Sequence, residues 1–347
     1  MAYRLSICIP TLNRGSYIGE TLESIVTQFE DGVEVVIVDG GSTDTTEQVV
    51  SSYQRSFQNI HYTKKETARK QPSNEGFDRD CNYAVEIANG EYCWLMTDDD
   101  LLKPGAIRKV LSETEKSYPV IVASVEIQNK SLTKVLVPRR PALLHDQIFQ
   151  PNEWNQFIAK VGGHLSFVGA VIIKKQFWLS RNREKYFGSG FVHVGVVFDE
   201  SIEEDVLVIA DPLVSLRYGN AQWSNRAFKI WMFDWPELIW SFPTILDETK
   251  RMLAPIERWK NLKTLLLLRA LGSYSTKEYQ LFLSKRIHSK RKRMLAKLIA
   301  RVPRHFLYIP AYIYLCALGA NGAPALYDLK NSRRHGRKNV QKAVYER

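Results

Sequence analysis

The sequence predicts an α/β fold, a mostly parallel, mixed sheet flanked by helices, followed by a helical, basic C-terminal region. Three observations predict it. Between residues 4 and 125, short β-branched runs alternate with segments whose apolar residues recur at helical spacing, as in a sheet covered on both faces. Two of those runs end in acids, Asp39 and the triplet Asp98-Asp99-Asp100, and the C-terminal strand ends of an open α/β sheet form the crevice where ligands bind. The charge is also lopsided. Of a net +11, residues 285–347 carry sixteen Lys and Arg against Asp328 and Glu346, so the first 284 residues are slightly acidic.

Residues 4–9 form a short apolar strand stopped at Pro10. The loop Thr11-Leu12-Asn13-Arg14-Gly15 leads to Ser16, a candidate N-cap for a helix with Ile18, Leu22, Ile25, Val26 and Phe29 on one face. Glu34 to Asp39 is the second strand, and Asp44 with Glu47 reads as a capping box opening a helix from Thr45 to Tyr53. Asn59 to Thr63 is a weaker third strand. The polar residues 64–80 read as a loop, and Cys81 to Asn89 as a helix closed by Gly90. Tyr92 to Met96 is the strand that delivers the acid triplet. After Pro104-Gly105, Ala106 to Glu115 is helical and Val120 to Val125 is a buried strand.

From 126 to 224 strands mix with loops, with Phe167 to Ile173 as one strand and Val206 to Tyr218 as one or two more. Residues 226–253 are rich in aromatics and read as helices broken at Pro236 and Pro243. Residues 285–302 put Ile287, Met294, Leu295, Leu298, Ile299 and Val302 on one helical face and Lys or Arg on the other, the pattern of an interfacial amphipathic helix. Residues 306–327 carry no charge, a length close to the roughly 20 residues that cross a bilayer. Pro310, Gly319, Asn321, Gly322 and Pro324 interrupt that run and Lys or Arg flanks both sides, which favours a segment lying in or dipping into one leaflet over a true span. A buried helical hairpin is the remaining alternative.

Composition narrows the class. Hydrophobic residues make up 45% and charged residues 24%, ordinary values for a folded protein. The four cysteines, Cys8, Cys81, Cys93 and Cys316, lie far apart with no C-x-x-C pair, which reads as reduced thiols in a cytosolic protein without a zinc site. The first residues enter a strand too soon for a signal peptide. Neither G-x-G-x-x-G nor G-x-x-x-x-G-K-[ST] occurs, which argues against a dinucleotide oxidoreductase and a P-loop enzyme.

Thr11, Asp39 and the triplet converge at one edge of the predicted sheet. A nucleobase offers ring N–H donors, a ribose offers hydroxyls and a diphosphate requires a cation, and carboxylates serve all three. The segments Ser6 to Arg14, Val36 to Asp44, and Gly90 to Asp100 with Pro104-Gly105 resemble, in order and spacing, a family 2 glycosyltransferase of the Rossmann-like GT-A fold. Within that family the chain looks most like the abequosyltransferase-like enzymes of O-antigen and other surface polysaccharides. The resemblance implies a GT-A domain over 1–225, with a nucleotide-sugar half at about 1–125 and an acceptor half at about 126–225, then a C-terminal aromatic and amphipathic region over 226–347.

It further implies donor contacts at Pro10, Thr11, Asn13, Arg14, Asp39, Gly41 and Asp98, with Thr11 and Asp39 on the nucleobase. Mg²⁺ or Mn²⁺ would sit on Asp99, with Asp100 as a neighbouring ligand or support. The family's carboxylate base usually stands some twenty residues before a strand of the type seen here at Pro212-Leu213-Val214-Ser215-Leu216-Arg217. Counting back reaches His193, the candidate base, with Asp199 and Glu204 as alternatives. Arg217, Asn220 and Trp223 would line the acceptor side. The implied activity is inverting transfer from a nucleotide-sugar donor to a glycan acceptor carried on polyprenyl diphosphate. The implied location is the cytoplasm, peripheral on the inner face of the plasma membrane through residues 285–347. A sugar-phosphate nucleotidyltransferase is disfavoured because Thr11 to Gly15 is a poor phosphate loop. A nucleic-acid binder is disfavoured because the acidic crevice would repel phosphate, so no nucleic-acid partner is expected.

Overall fold

The computed structural model describes residues 3–66 and 74–331 and separates into two compact units. The first comprises Met1–Gln128, Pro138–Arg217 and Trp240–Leu253; the second comprises Asn129–Val137, Tyr218–Ile239 and Ala254–Arg347. In the chain the strands are β1 (Leu5–Thr11), β2 (Val33–Asp39), β3 (Ile60–Lys64), β4 (Tyr92–Leu95), β5 (Leu101–Leu102), β6 (Val120–Asn129), β7 (Val135–Arg140), β8 (Gln147–Phe149), β9 (Val171–Lys174) and β10 (Val206–Tyr218). They form one sheet in the order β3-β2-β1-β4-β9-β6-β10-β5, with β7 added to β6 and β8 to β10.

The strands β3, β2, β1 and β4 are parallel, and β9 runs antiparallel between β4 and β6. Every residue of β1, β2 and β4 is buried, so these strands carry no alternation and require cover on both faces. The first unit's helices include α1 (Ile18–Val26), α2 (Thr46–Gln54), α3 (Asn74–Ile87), α4 (Ala106–Thr114), α5 (Trp154–Val161), α6 (Lys175–Ser180) and α7 (Val192–Phe198). Polar groups inside this core are paired. The buried Glu34 carboxylate accepts from Ser6 Oγ at 2.6 Å and from Asn89 N–H at 2.6 Å.

Several expectations are corrected. Residues 74–80 are not loop but the first turns of α3, while residues 67–73 of the same expected loop lie outside the described residues. Tyr17, not Ser16, precedes α1. Asp44 does not close a capping box, because Glu47 pairs with Lys64 at 2.6 Å; Asp44 instead accepts from Thr46 N–H and Gly15 N–H, both at 3.0 Å. Of the one or two strands expected over 206–218 the chain forms one, with Pro212 between the residues that pair with β8 (206–208) and those that pair with β5 (214–215). Pro236 does not break its helix either: the run is continuous from Ala227 to Ser241, and a π-turn at Ile230–Asp234 precedes Pro236, re-spacing the backbone bonds where the N–H is missing.

In the second unit one core gathers Phe228, Trp259, Tyr274, Leu283 and Ile299, and another gathers Ala270, Ala311, Leu315 and Leu329. The helix Lys290–Arg301 does not present a single apolar face to one environment. Ala296, Ile299 and Ala300 are buried, whereas Met294, Leu295 and Leu298 are exposed. The uncharged stretch folds as a helix, Arg304–Ala317, a turn at Gly319–Gly322 where the glycines cluster, and a second helix over 323–331. Among the described residues no helix is long and apolar enough to cross a membrane. The basic residues 332–347 lie outside the described residues.

Candidate active site

The site forms where β1, β2 and β4 end side by side. Strand register sets Thr11 opposite Asp39 and Pro10 opposite Val38, so the loops after β1 and β2 leave together. These loops are stitched: Asn13 N–H donates to Ser42 Oγ at 2.7 Å, Thr43 N–H to Asn13 Oδ1 at 2.9 Å and Arg14 N–H to Thr46 Oγ1 at 2.8 Å. Asn13 sits at φ 55° and Gly41 at φ 96°, left-handed values that asparagine tolerates and glycine adopts without strain. The Asn13 side chain thus ties the two loops together.

Asp39 is fully buried at the end of β2. Its Oδ1 accepts the N–H groups of Gly41 at 2.9 Å and Ser42 at 2.7 Å, and its Oδ2 accepts the Tyr62 hydroxyl at 2.6 Å. Burial, reinforced by Asp39, pushes the Tyr62 hydroxyl far up, so Tyr62 stays a donor. A carboxylate has about four lone-pair sites, so Asp39 keeps capacity for one more N–H.

Beyond β4 the chain turns through the triplet and returns as β5, which pairs antiparallel with β10 at Val214 and Ser215. Two arginines thread this turn. Arg14 Nε donates to Asp98 Oδ1 at 2.9 Å and its Nη2 to Asp99 Oδ2. Arg217 donates its backbone N–H to Asp100 Oδ1 at 2.5 Å, its Nε to the Asp99 carbonyl at 2.8 Å and its Nη2 to Glu20. Both guanidiniums lie over the Tyr17 ring, at 4.9 and 5.3 Å from its centre, a cation–π arrangement that fixes their planes. Burial pushes the Asp98 carboxyl up to about 6 against the pull of Arg14, and burial together with the Asp99 charge pushes Asp100 well above its usual range.

The donor set suits a divalent cation bound with substrate. Asp98 and Asp99 meet the guanidinium of Arg14 and Glu20 that of Arg217, while Asp100 accepts the Arg217 backbone N–H, so carboxylates gather round both arginines. Among the described residues no group of three metal-ligating side chains is gathered. Mg²⁺-type sites can use one or two carboxylates and complete the shell with substrate phosphates. Of the two roles expected of Asp100, ligand or support, its contacts are those of a support: Oδ2 accepts the Thr97 hydroxyl and Oδ1 the Arg217 N–H. Arg217 likewise braces the triplet.

The candidate bases separate. His193 lies in the first turn of α7 and is buried, with Nε2 donating to the Leu165 carbonyl at 2.9 Å. That bond leaves Nδ1 as a lone pair with no hydrogen-bond partner among the described residues, and burial lowers the ring to about 4, so it is neutral at pH 7. The ring's one hydrogen bond thus runs to Leu165 and not to the triplet. Asp199 closes α7, its Oδ1 bound by the Tyr186 hydroxyl. Glu204 is exposed just before β10, a strand that runs from Val206 to deliver Arg217 to the triplet. Asn220 and Trp223 belong to the second unit, where Trp223 is exposed and meets Trp231 edge-on at 6.1 Å.

Asp78, which falls in the stretch expected as loop, anchors α7 from α3: it accepts the N–H groups of Gly188, Gly190 and Val192 at 2.8 to 3.0 Å. Gly195 lets α7 pack on Tyr186, whose ring a Cβ would meet at 2.2 Å. Tyr17, Glu20 and Tyr62 carry no motif that marks them in the sequence. Tyr17 and Glu20 open α1, and a helix that starts beside a strand end presents its first turn to the same crevice.

Residues 6–175 match the family model Glycosyl transferase family 2. The abequosyltransferase of Salmonella typhimurium is 27% identical over 235 residues, covering 64% of this chain and 69% of that protein. The GalNAc(5)-diNAcBac-PP-undecaprenol beta-1,3-glucosyltransferase of Campylobacter jejuni is 26% identical over 127 residues, 37% of this chain and 40% of its own length. The chain thus spans about two thirds of the first relative and two fifths of the second. Among solved structures, S. aureus TarS 1–349 superimposes with a TM-score of 0.53 at 16% identity, covering 96% of this chain and 92% of that one. Its complex with UDP-GlcNAc gives 0.51 at 17% identity, over the same shares of the two chains. These likenesses establish a GT-A-like α/β fold.

Proposed function

We propose, from the premise that residues 6–175 of this chain form a family 2 glycosyltransferase domain, that the protein is an inverting enzyme moving a sugar from a nucleotide-sugar donor to a glycan hydroxyl. One observation carries this reading: adjacent parallel strands set the buried carboxylate of Asp39 beside an acid triplet braced by Arg14 and Arg217. Asp39 takes a ring N–H of the nucleobase, its rotamer fixed by Gly41, Ser42 and Tyr62. Asp98 faces the ribose and sugar-phosphate side, and the Arg14 fork suits phosphate oxygens.

Asp99 and Asp98 would hold Mg²⁺ or Mn²⁺ together with the diphosphate; when bound, such an ion neutralises charge on the leaving nucleoside diphosphate. His193 is the proposed base. Its Nδ1 lone pair takes the acceptor hydroxyl's proton as that oxygen attacks the anomeric carbon from the face opposite the diphosphate, which inverts the configuration. The relatives support a bacterial polysaccharide pathway, one being named for abequose transfer and another for an undecaprenol-linked acceptor. The acceptor proposed here is accordingly a glycan on polyprenyl diphosphate, and the enzyme peripheral on the cytoplasmic membrane face, with contact through residues 285–347. Asn220 and Trp223 are retained as proposed acceptor contacts.

A thermal-shift screen of nucleoside diphosphates and nucleotide sugars, with and without Mn²⁺, tests the donor site. One nucleotide series should raise the melting temperature in a metal-dependent way, and Asp39→Asn and Asp99→Asn should each remove that rise. A shift that survives both substitutions would place the donor elsewhere.

A further inference from the structure

We infer that the helix Arg304–Ala317 is the element that seats the protein on an anionic lipid surface, lying in the headgroup layer while the Lys and Arg of the preceding helix meet the headgroups. This rests on the peripheral-membrane part of the reading above and names the element within residues 285–347 that makes the contact. The helix is fourteen residues long, about 21 Å, too short for a hydrocarbon core of about 30 Å. It is packed along one side only: Ala311 and Leu315 are buried against Ala270 and Leu329. On the opposite side Phe306 and Ile309 are each 67% exposed and Ile313 64% exposed. Their spacing of three and four residues makes one apolar stripe.

The preceding helix Lys290–Arg301 repeats the pattern with charge added. Ala296 and Ile299 face the core, while Met294 and Leu298 are exposed and Arg291, Lys297 and Arg301 flank them around the helix. Residues 279–327 contain nine Lys and Arg and no Asp or Glu. That charge selects the occupant. A second copy of this chain, seated on the same surface, would bring two acid-free basic helices together. A nucleic acid would satisfy the charge but leave Ile309 and Ile313 in water. An anionic lipid surface satisfies both, burying the stripe at the acyl boundary and pairing the basic residues with headgroups.

The test is co-flotation of the full-length protein with phosphatidylcholine vesicles, with and without about a third phosphatidylglycerol. The wild type should float with the anionic vesicles and lose binding as salt rises. Ile309→Glu/Ile313→Glu should cut the bound fraction at least about tenfold, and Arg291→Glu/Lys297→Glu several-fold, with unchanged melting temperatures, since all four side chains are exposed. Binding unaffected by the isoleucine pair would overturn the inference. So would a vesicle-free dimer that the same pair dissolves, or tighter binding to single-stranded DNA than to vesicles that ignores the pair. The nucleotide-sugar thermal shift is read in solution without lipid, so failure here leaves the donor-site reading standing and failure there leaves this one.

Discussion

His193 carries the sharpest question at the level of single side chains. Its ring nitrogens have divided roles, Nε2 donating to Leu165 and Nδ1 keeping a lone pair, and the depressed pKa of about 4 leaves the ring in its basic form at neutral pH. His164 has the same arrangement against the Ala123 carbonyl, so a buried histidine is also an ordinary way to fill this core. Kinetics distinguish the two roles. As base, His193→Ala should lower kcat by about a hundredfold or more while leaving the metal-dependent donor shift in place. A lower melting temperature with unchanged kcat would reduce His193 to packing. At this scale the acids are legible in the sequence, because charge after an apolar run stands out, but their partners are not. Tyr62 and Glu20 sit among ordinary strand and helix residues, and only the fold brings them to Asp39 and Arg217.

The loop over 188–191 and the start of helix α7 are held from α3 by the Asp78 carboxylate. Burial drives that carboxyl up to about 7 although three N–H donors pull it down, because it is shut off from water. In the unfolded chain it would ionise near 3.8. Folded Asp78 therefore holds its proton through a window in which the unfolded chain has lost it. Its stabilising contribution is complete below about pH 4 and is lost as pH rises through about 7, at most about 4 kcal/mol over the window. The buried His193 and His164 contribute in the opposite direction, favouring the fold above 6.5 and losing that as pH falls through about 4 and about 3. Those terms cancel when wild type is compared with Asp78→Asn. The stability difference between the two should swing against the wild type between pH 4 and 7 in denaturant titrations; a flat difference would mean that Asp78 stays ionised. Elements with strong local signals are legible: β1, β2 and β4 are unbroken apolar runs. The start of α3 is not, because Asn74 and Gly76 are weak helix formers whose helix is decided by packing, and β10 looks divided because of Pro212 within it.

Across the whole chain, the division of labour follows the division of charge. The proposed donor site, from Thr11 and Asp39 through the triplet to Arg217, lies entirely in the first unit, and the basic, acid-free helices lie in the second. That asymmetry is plain in the composition alone. Composition does not tell which apolar residues of 285–327 are core and which face outward, since both kinds share helical spacing. Each unit has its own apolar core, so ligand binding and unfolding can be read separately. A ligand that binds only the folded site stabilises its unit by about 2.7 kcal/mol at a hundredfold excess over its Kd. Scanning calorimetry should show two transitions. A nucleoside diphosphate with Mn²⁺ should raise only one of them, Asp99→Asn should abolish that rise, and Ile309→Glu/Ile313→Glu should leave it intact. A single transition moving as a whole would mean that the two units unfold together, and a rise that persists in Asp99→Asn would remove the triplet from the binding site.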